Sequence, residues 1–383
     1  MASREATLAT GITHAPAPRG TVVAYTRGDN DYSSEHERCT RLEIARRLAA
    51  LKGFGFAGEY DAARHYPEPL YLVPNDTLPA AEALALGIRG EQDLFGGVVP
   101  HAFVATKAIT HPLVAPDARA PDGWRHDLAH RMREVVLPGF SAFAPNDARR
   151  AGMRLLADGP VRIKPVHATG GRGQTVVADA VELDACLQTL DAAEWSRGVV
   201  LETHLADVTT YSVGQVRVAD LVASYHGQQR LTTDNHGEQV YGGSDLTVVR
   251  GDFEALLASE LPDAVRQAVL GARAYDAAAT DGFAGFFASR RNYDVIRGRD
   301  RDGHWRCGVL EQSWRVGGAS GVEIAALEAF RAEPRLRTVR ARCVEAFGPG
   351  EAPPPHATVY FRGTDHRAGP LVKYTVVQPH GHA

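Results

Sequence analysis

The most informative stretch of this sequence is Val161-Arg-Ile-Lys-Pro-Val-His-Ala-Thr-Gly-Gly-Arg-Gly-Gln-Thr-Val-Val177. It predicts a strand that delivers Lys164, then a loop, then a second strand over residues 175–177. Glycine lets backbone N–H groups approach an anion closely, and a strand lysine adds positive charge at the same place. The segment therefore predicts an anion-binding flap, and a glycine-rich hairpin turn beside a surface lysine is an equally good interpretation. The loop glycines are Gly170, Gly171 and Gly173.

A second segment, residues 291–321, predicts a hairpin that carries two carboxylates. Asp294 lies on its first strand, and Glu311 ends the second strand, directly after the apolar run at 308–310. Carboxylates from neighbouring strands can share a hard cation such as Mg²⁺, although an isolated pair is more often solvated. The apolar run favours the metal interpretation, because a charge in such a setting is usually held by a partner. Arg315, close behind, suits a phosphoryl group or a substrate carboxylate.

Together the two segments resemble the ATP-grasp superfamily, which clamps ATP between two α+β lobes; the likeness covers about residues 105–325. The late block is also similar to an uncharacterised bacterial family of this superfamily, a domain of unknown function. The resemblance implies ATP and Mg²⁺ as cofactors. It implies nucleotide contacts at Lys107, Lys164, Gly170, Gly171, Gly173 and Glu202, the last on a hinge strand at 199–202. It implies metal ligands at Asp294 and Glu311, and catalytic roles for Lys164 and Arg315.

The sequence departs from the superfamily pattern at three positions. Ser313 stands where members usually have an asparagine metal ligand, and its hydroxyl is expected to take that role more weakly. The ribose-binding acid falls near Thr209, with Asp207 as the substitute. Ala319 replaces the acid that some carboxylases use, so a bicarbonate and biotin reaction loses support. Arg291, just before Asp294, is a further candidate for stabilising an acyl phosphate.

The order of predicted elements indicates an α/β unit followed by an α+β fold. Strands and helices alternate over the first part of the chain, which suggests a parallel layer, whereas the runs at 160–250 favour antiparallel strands. We expect a flexible leader at 1–20 and a Rossmann-like pre-ATP-grasp unit at 21–105. The two ATP-grasp lobes follow at 106–200, with the flap, and at 201–345, with the metal carboxylates. Residues 346–383 are expected to form a C-terminal extension.

Composition excludes several classes of protein. The 383 residues are 44% hydrophobic and carry a formal net charge of −4, which argues against a disordered chain and against a nucleic-acid-binding surface. The start of the sequence lacks an apolar stretch of signal-peptide length, and no run reaches the roughly 18 apolar residues that span a bilayer. The four cysteines form no CxxC pair. We expect a cytoplasmic protein with small-molecule partners and no membrane or nucleic-acid partner; a homodimer is compatible with the sequence.

These features predict an ATP- and Mg²⁺-dependent ligase that joins a carboxylate to an amine or a thiol through an acyl phosphate. A small-molecule kinase of the same superfamily and a non-catalytic nucleotide-binding regulatory protein are the alternatives. Lys164→Ala is expected to abolish ATP turnover and to shift the melting temperature by only a few degrees.

Overall fold

The computed structural model describes residues 19–28, 34–167, 173–350 and 352–378. The first unit contains β1 (Thr21–Tyr25), α1 (Glu35–Lys52), β2 (Gly55–Glu59), β3 (Leu70–Pro74), β4 (Leu78–Pro79), α2 (Ala80–Ala85) and β5 (Gly97–Val99). β1 lies between β2 and β3, and both pairings are parallel, as the sequence predicts for this layer. α1 begins after Ser34, whose backbone N–H donates to Glu37 Oε2 at 3.3 Å, and ends at Gly53, where φ is +67°. The Rossmann-like character of the whole unit stays a prediction.

The middle of the chain builds a small antiparallel sheet. Its elements are α3 (His126–Met132), β6 (Gly139–Ala142), α4 (Pro145–Leu156), β7 (Val161–Pro165), β8 (Thr175–Val177), α5 (Ala180–Gln188), α6 (Ala192–Arg197) and β9 (Val199–Thr203). The strand order is β6-β9-β7-β8. Alternate apolar residues of β7 and β9, such as Ile163 and Leu201, pack into one core with Leu183 of α5. β7 and β8 form the hairpin that the first segment predicts, with Val161 opposite Val177.

The rest of the chain builds an eight-stranded sheet with helices on both faces. The elements of this part are β10 (Ala206–Val218), β11 (Leu221–Thr233), β12 (Gln239–Arg250), α7 (Phe253–Leu257), α8 (Asp263–Gly282), β13 (Phe287–Ala288), β14 (Arg290–Arg299), β15 (Trp305–Ser313), α9 (Ser320–Ala332), β16 (Thr338–Phe347), β17 (Thr358–Asp365) and β18 (Gly369–Val377). β13 lies outside the eight-stranded sheet and pairs with β5 of the first unit. The order is β15-β14-β10-β11-β12-β16-β18-β17, antiparallel throughout. α9 and α1 share a core with one face, and α8 shares a core with the other.

The N-terminal helix α1 and the C-terminal strands β17 and β18 come together at this sheet. β17 and β18 continue it beyond β16, so residues predicted as a C-terminal extension belong to the same sheet as β10. Arg47 of α1 forms an ion pair with Glu328 of α9 and donates to the Tyr360 hydroxyl of β17 at 2.7 Å. The proposed domain boundaries themselves stay predictions. None of the helices in the described ranges is long and apolar enough to cross a membrane.

Candidate nucleotide and metal site

Asp294 and Glu311 lie directly opposite each other on β14 and β15, where the sequence predicts a hairpin. A bulge follows Asp294 on its strand. Side chains of directly paired residues stand about 5 Å apart at Cβ, so both carboxylates can reach a common ligand. The same ladder pairs Asn292 with Ser313, which adds an amide and a hydroxyl two residues away on the same face.

Amide groups hold the Asp294 carboxylate. Gln229 Nε2 of β11 donates to Asp294 Oδ1 at 2.7 Å, and Asn292 Nδ2 donates to the same oxygen at 3.1 Å. Burial raises the pKa of Asp294 to about 6, and the neighbouring charge of Glu311 contributes to the rise. The two amide donors and Lys107 oppose it. The two carboxylates therefore repel each other in a poorly solvated place, which favours the neutral form of Asp294.

Lys107 forms an ion pair with Glu311, one of these two carboxylates. Its Nζ lies 2.6 Å from Glu311 Oε2, and its side chain is 5% exposed. Lys107 is the first residue of the 3₁₀ turn Lys107–Thr110, and Thr106 is the N-cap of this turn. Gln312 of β15 donates from Nε2 to the carbonyl oxygens of Val104 at 3.0 Å and Thr106 at 2.8 Å, which fastens the turn beside Glu311.

Lys164 is also buried in an ion pair, with Glu202 of β9. Arg162 is the ladder partner of Glu202, so Lys164, two residues further on, projects from the same face. His111 Nε2 lies 3.3 Å from the second oxygen, Glu202 Oε2. Burial tends to raise the pKa of Glu202, but the charge of Lys164 and the His111 hydrogen bond outweigh it and lower the pKa to about 2. Glu202 is therefore ionised at neutral pH, and its carboxylate is held in the ion pair with Lys164.

The flap is described only in part. Gly170 and Gly171 lie outside the described residues. Gly173 adopts φ +67°, a left-handed conformation that favours glycine, and β8 starts two residues later. The next residue, Gln174, accepts from Arg162 Nη1 at 3.1 Å, which ties this side of the loop to β7.

A buried hydrogen-bond network around Arg290 and Glu323 holds the hairpin that carries the two carboxylates. Arg290 and Glu323 form an ion pair with both side chains 1% exposed or less. Arg290 Nη1 donates to the carbonyl oxygens of Ser313 at 3.0 Å and Arg315 at 2.7 Å, and lies 3.3 Å from Ser313 Oγ. The Tyr225 hydroxyl lies 2.7 Å from Glu323 Oε1 and 2.9 Å from Asn292 Oδ1. The network fixes the end of β15 and the amide beside Asp294.

Arg315 reaches across to the N-terminal unit. Its Nε lies 3.7 Å from Asp76 Oδ1, just beyond the end of β3, and its side chain is about one-third exposed. The predicted arginine therefore lies at an open edge of the site, between the carboxylate hairpin and the parallel sheet.

Two predicted site residues are not brought to this cluster. Arg291 projects from the opposite face of β14 to Asp294, because neighbouring strand residues alternate; its Nη2 lies 3.1 Å from Glu91 and its Nε 3.0 Å from Asp276 of α8. Asp207 is 74% exposed and lies 3.8 Å from Arg299. In the β10–β14 ladder Asp294 pairs with Ser212, about five residues and roughly 16 Å along the strand from Asp207. Neither residue is part of the proposed site.

A second acidic group lies at the tip of the same hairpin. Asp300, Asp302 and His304 place a ligand atom each within 4.8 Å of one another. Asp302 and His304 are exposed, and Asp300 already accepts from Arg306 Nε at 2.7 Å and from the backbone N–H groups of the turn. These contacts account for the tip group as an ordinary acidic turn.

Sequence reasoning missed Gln229, Asn292, His111 and Asp76. Asn292 carried a usable signal, since it lies two residues before Asp294 and so shares its face on a strand. The other three come from distant segments, and His111 is 91 residues from Glu202. No local pattern indicates such partners.

The architecture is that of the ATP-grasp superfamily, as the sequence resemblance implies. Biotin carboxylase from Campylobacter jejuni, solved with an ATP ligand, matches with a TM-score of 0.52 and 10% identity over 93% of this chain and 87% of that one. N5-carboxyaminoimidazole synthetase from Staphylococcus aureus, solved with ADP, matches with a TM-score of 0.51 and 10% identity over 95% and 94%. At such identities the likeness concerns the fold.

The chain belongs to the family described as Protein of unknown function (DUF3182), whose model matches residues 22–375. No curated protein matches the chain significantly.

Proposed function

We propose that this protein is an ATP- and Mg²⁺-dependent ligase that joins a carboxylate to an amine or a thiol through an acyl phosphate. One observation carries the proposal: two buried lysine–glutamate pairs, whose glutamates belong to two separate sheets, lie at the two ends of one short turn. Lys107, at the start of the turn, contacts Glu311. His111, just after its end, contacts Glu202, the partner of Lys164.

The residues present fit a magnesium site. Asp294 and Glu311 supply the hard oxygen ligands that Mg²⁺ prefers, and Ser313 Oγ lies two residues beyond Glu311 on the same face. The raised pKa of Asp294 supports this assignment, because a cation would remove the like-charge repulsion that contributes to it. When bound, Mg²⁺ would neutralise charge on the phosphates of the nucleotide.

Lys107 and Lys164 would bind the phosphate groups of ATP. Both side chains are at most 5% exposed, so their charges act in a medium of low polarity, where a fixed cation stabilises an anion strongly. The flap that ends at Gly173 would cover the phosphates with backbone N–H groups and keep water out.

In the proposed reaction, an oxygen of the substrate carboxylate attacks the γ-phosphorus, the bond to the β-phosphate oxygen breaks, and ADP leaves. The amine or thiol then attacks the carbonyl carbon of the acyl phosphate, loses its proton and expels inorganic phosphate. The chain supplies positioning and charge. Arg315, at the open edge beside Asp76, would stabilise the acyl phosphate.

Product analysis tests this proposal. The full chain is incubated with Mg-ATP and pools of small carboxylic acids, with and without pools of amines and thiols, and ADP, phosphate and condensed products are quantified. We expect ADP and phosphate in equal amounts only when both pools are present. A phosphoester without free phosphate would instead identify a kinase. Tight binding of Mg-ATP in calorimetry with no ADP release from any pool would identify a non-catalytic binder.

Asp300→Asn is the matched control for Asp294→Asn, because both remove a carboxylate from the same hairpin. ADP release should survive the change at the tip and fail after the change beside Glu311. Equal losses in both variants would contradict the assignment of the metal site.

A further inference from the structure

Charged side chains gather at the carboxyl ends of β1 and β3. The chain leaves β1 toward β2 on one side, and β3 pairs with the other side of β1. In open parallel sheets, the crevice at such a reversal is where ligands bind. Arg27 follows β1 and Asp76 follows β3, and the Arg27 backbone N–H donates to Asn75 Oδ1 at 3.1 Å, which joins the two loops.

Glu82 fixes the direction of the Arg27 side chain. Arg27 Nε donates to Glu82 Oε2 at 2.9 Å, and the Tyr25 hydroxyl donates to Glu82 Oε1 at 2.9 Å. Burial, followed by the Glu82 carboxylate, raises the pKa of Tyr25 to about 12, so the hydroxyl stays protonated. Arg27 Nη1 is left 3.8 Å from Asp76 Oδ2.

This crevice adjoins the phosphate end of the proposed nucleotide site. Arg315 Nε reaches the other oxygen, Asp76 Oδ1, at 3.7 Å. Burial and then Arg197 lower the pKa of His167, just after β7, and the opposed charges of Asp76 and Lys107 both act on the same imidazole. The charge of Asp76 and the charge of the lysine that contacts Glu311 therefore both act at His167.

The charges are arranged for a ligand rather than for each other. The Arg27 and Arg315 contacts to Asp76 exceed hydrogen-bonding distance, and all three side chains are about one-third exposed. Two guanidinium groups are balanced by Asp76 and by Glu82, which Arg27 and Tyr25 already bind. Asp76 would repel a polyanion, and the two arginines would repel a polyamine. A ligand that carries one positive and one negative charge can instead pair with all three side chains.

We propose that Arg27, Asp76 and Arg315 form the subsite for the second substrate, and that this substrate is an amino acid. Arg27 binds its carboxylate and Asp76 binds its ammonium, while Arg315 lies between this substrate and the acyl phosphate that it attacks. The inference rests on the proposed function, since it places this subsite beside the phosphates of the same nucleotide.

Calorimetry with three matched sets of probes tests the proposal: the common L-amino acids, their methyl amides and the corresponding 2-hydroxy acids. Each set is titrated into the full chain, with and without Mg²⁺ and a non-hydrolysable ATP analogue. We expect at least one amino acid to bind, and its amide and hydroxy acid to bind at least about tenfold more weakly. Asp76→Asn should remove the preference over the hydroxy acid, and Arg27→Gln the preference over the amide.

Asp184→Asn is the matched control, because Asp184 pairs with Arg149 on a distant surface and has a similar exposure of 39%. It should leave all three sets unchanged. The proposal is overturned if no amino acid binds, if a hydroxy acid or an amide binds as tightly as its amino acid, or if Asp76→Asn and Asp184→Asn behave alike. Amino-acid binding in calorimetry, combined with no ADP release from any pool in the turnover assay with Mg-ATP, would contradict the ligase reaction and leave the subsite standing.

Discussion

Two buried lysine–carboxylate pairs flank the proposed nucleotide site, and they differ in how far the carboxylate is closed off from water. In the pair of Lys164 and Glu202, the glutamate side chain is 2% exposed, and His111 binds its second oxygen. In the pair of Lys107 and Glu311, the glutamate is 30% exposed and lies opposite Asp294. The lysines themselves are almost equally buried, at 4% and 5%.

This difference assigns different tasks to the two carboxylates. Glu202 has a pKa lowered to about 2 and is enclosed by its partners, so it orients Lys164 and does not exchange ligands. Glu311 remains accessible beside an acid of raised pKa, so a cation can take the place of the Lys107 contact. The first pair is expected to matter for stability and the second for metal-dependent turnover.

The largest expected effect is that of Lys164→Ala. The variant leaves Glu202 as an unpaired buried charge, so we expect the free energy of unfolding to fall by about 3–5 kcal/mol, along with a loss of ATP turnover. In a chain of 383 residues such a loss lowers the melting temperature by roughly 5 °C, so the expected shift of a few degrees stays a prediction. Urea unfolding and ADP release measure the two effects. The double variant with Glu202→Gln should recover much of the stability and none of the turnover; a single variant as stable as wild type would show that the ion pair does not form.

Glu311→Gln is expected to separate the two pairs most clearly. Its glutamate is partly solvated, and the Asp294 carboxylate remains to balance the charge of Lys107. The free energy of unfolding should therefore fall by less than in Lys164→Ala, on the order of 1 kcal/mol. Mg²⁺-dependent ADP release should fall on the order of 100-fold, because a ligand carboxylate is lost where charge must be stabilised. Titration of Mg²⁺ in the release assay checks this, with Asp300→Asn as the control. A loss of stability as large as that of Lys164→Ala would mean that both pairs are structural.

The pH dependence of stability should have opposite signs at the two carboxylates. Asp294 binds its proton more tightly in the folded chain, with a pKa of about 6 against 3.8, so it lowers stability progressively as the pH rises through this window. Glu202 does the reverse: its contribution is complete above about pH 4.5 and is lost as the pH falls toward about 2. Without Mg²⁺, Asp294→Asn should gain about 3 kcal/mol over wild type at pH 7 and little near pH 4. Urea unfolding across this range provides the measurement, and a pH-independent difference would contradict it.

Ser313→Ala is expected to have the smallest effect. The hydroxyl lies 3.3 Å from Arg290 Nη1, while the Ser313 carbonyl remains bound to the same group at 3.0 Å. We expect the Mg²⁺ concentration for half-maximal ADP release to rise by about fivefold, the equivalent of one neutral hydrogen bond of about 1 kcal/mol. A loss comparable to that of Glu311→Gln would make Ser313 a full metal ligand.

The local parts of the site were predictable because they lie within one hairpin. Asp294 and Glu311 are joined by a single turn, and the strand period of two fixes which neighbours share their face. The same reasoning predicts the β7–β8 hairpin and Lys164. Alternation alone does not tell which face of β14 meets α8, so it could not place Arg291 beside Asp276.

The sequence by itself determined the elements, the two hairpins and the chemistry of the lysines and carboxylates, since these depend on residue type and short-range periodicity. Tertiary structure decided the partners. Glu202 is held in its ion pair because Lys164 of β7 and His111 enclose it. Asp76 faces Arg315 because the loop after β3 lies beside the segment that follows β15. Contacts of this kind depend on how distant segments pack and on how much water the packing excludes. Neither the packing nor the exclusion of water can be predicted from the local sequence.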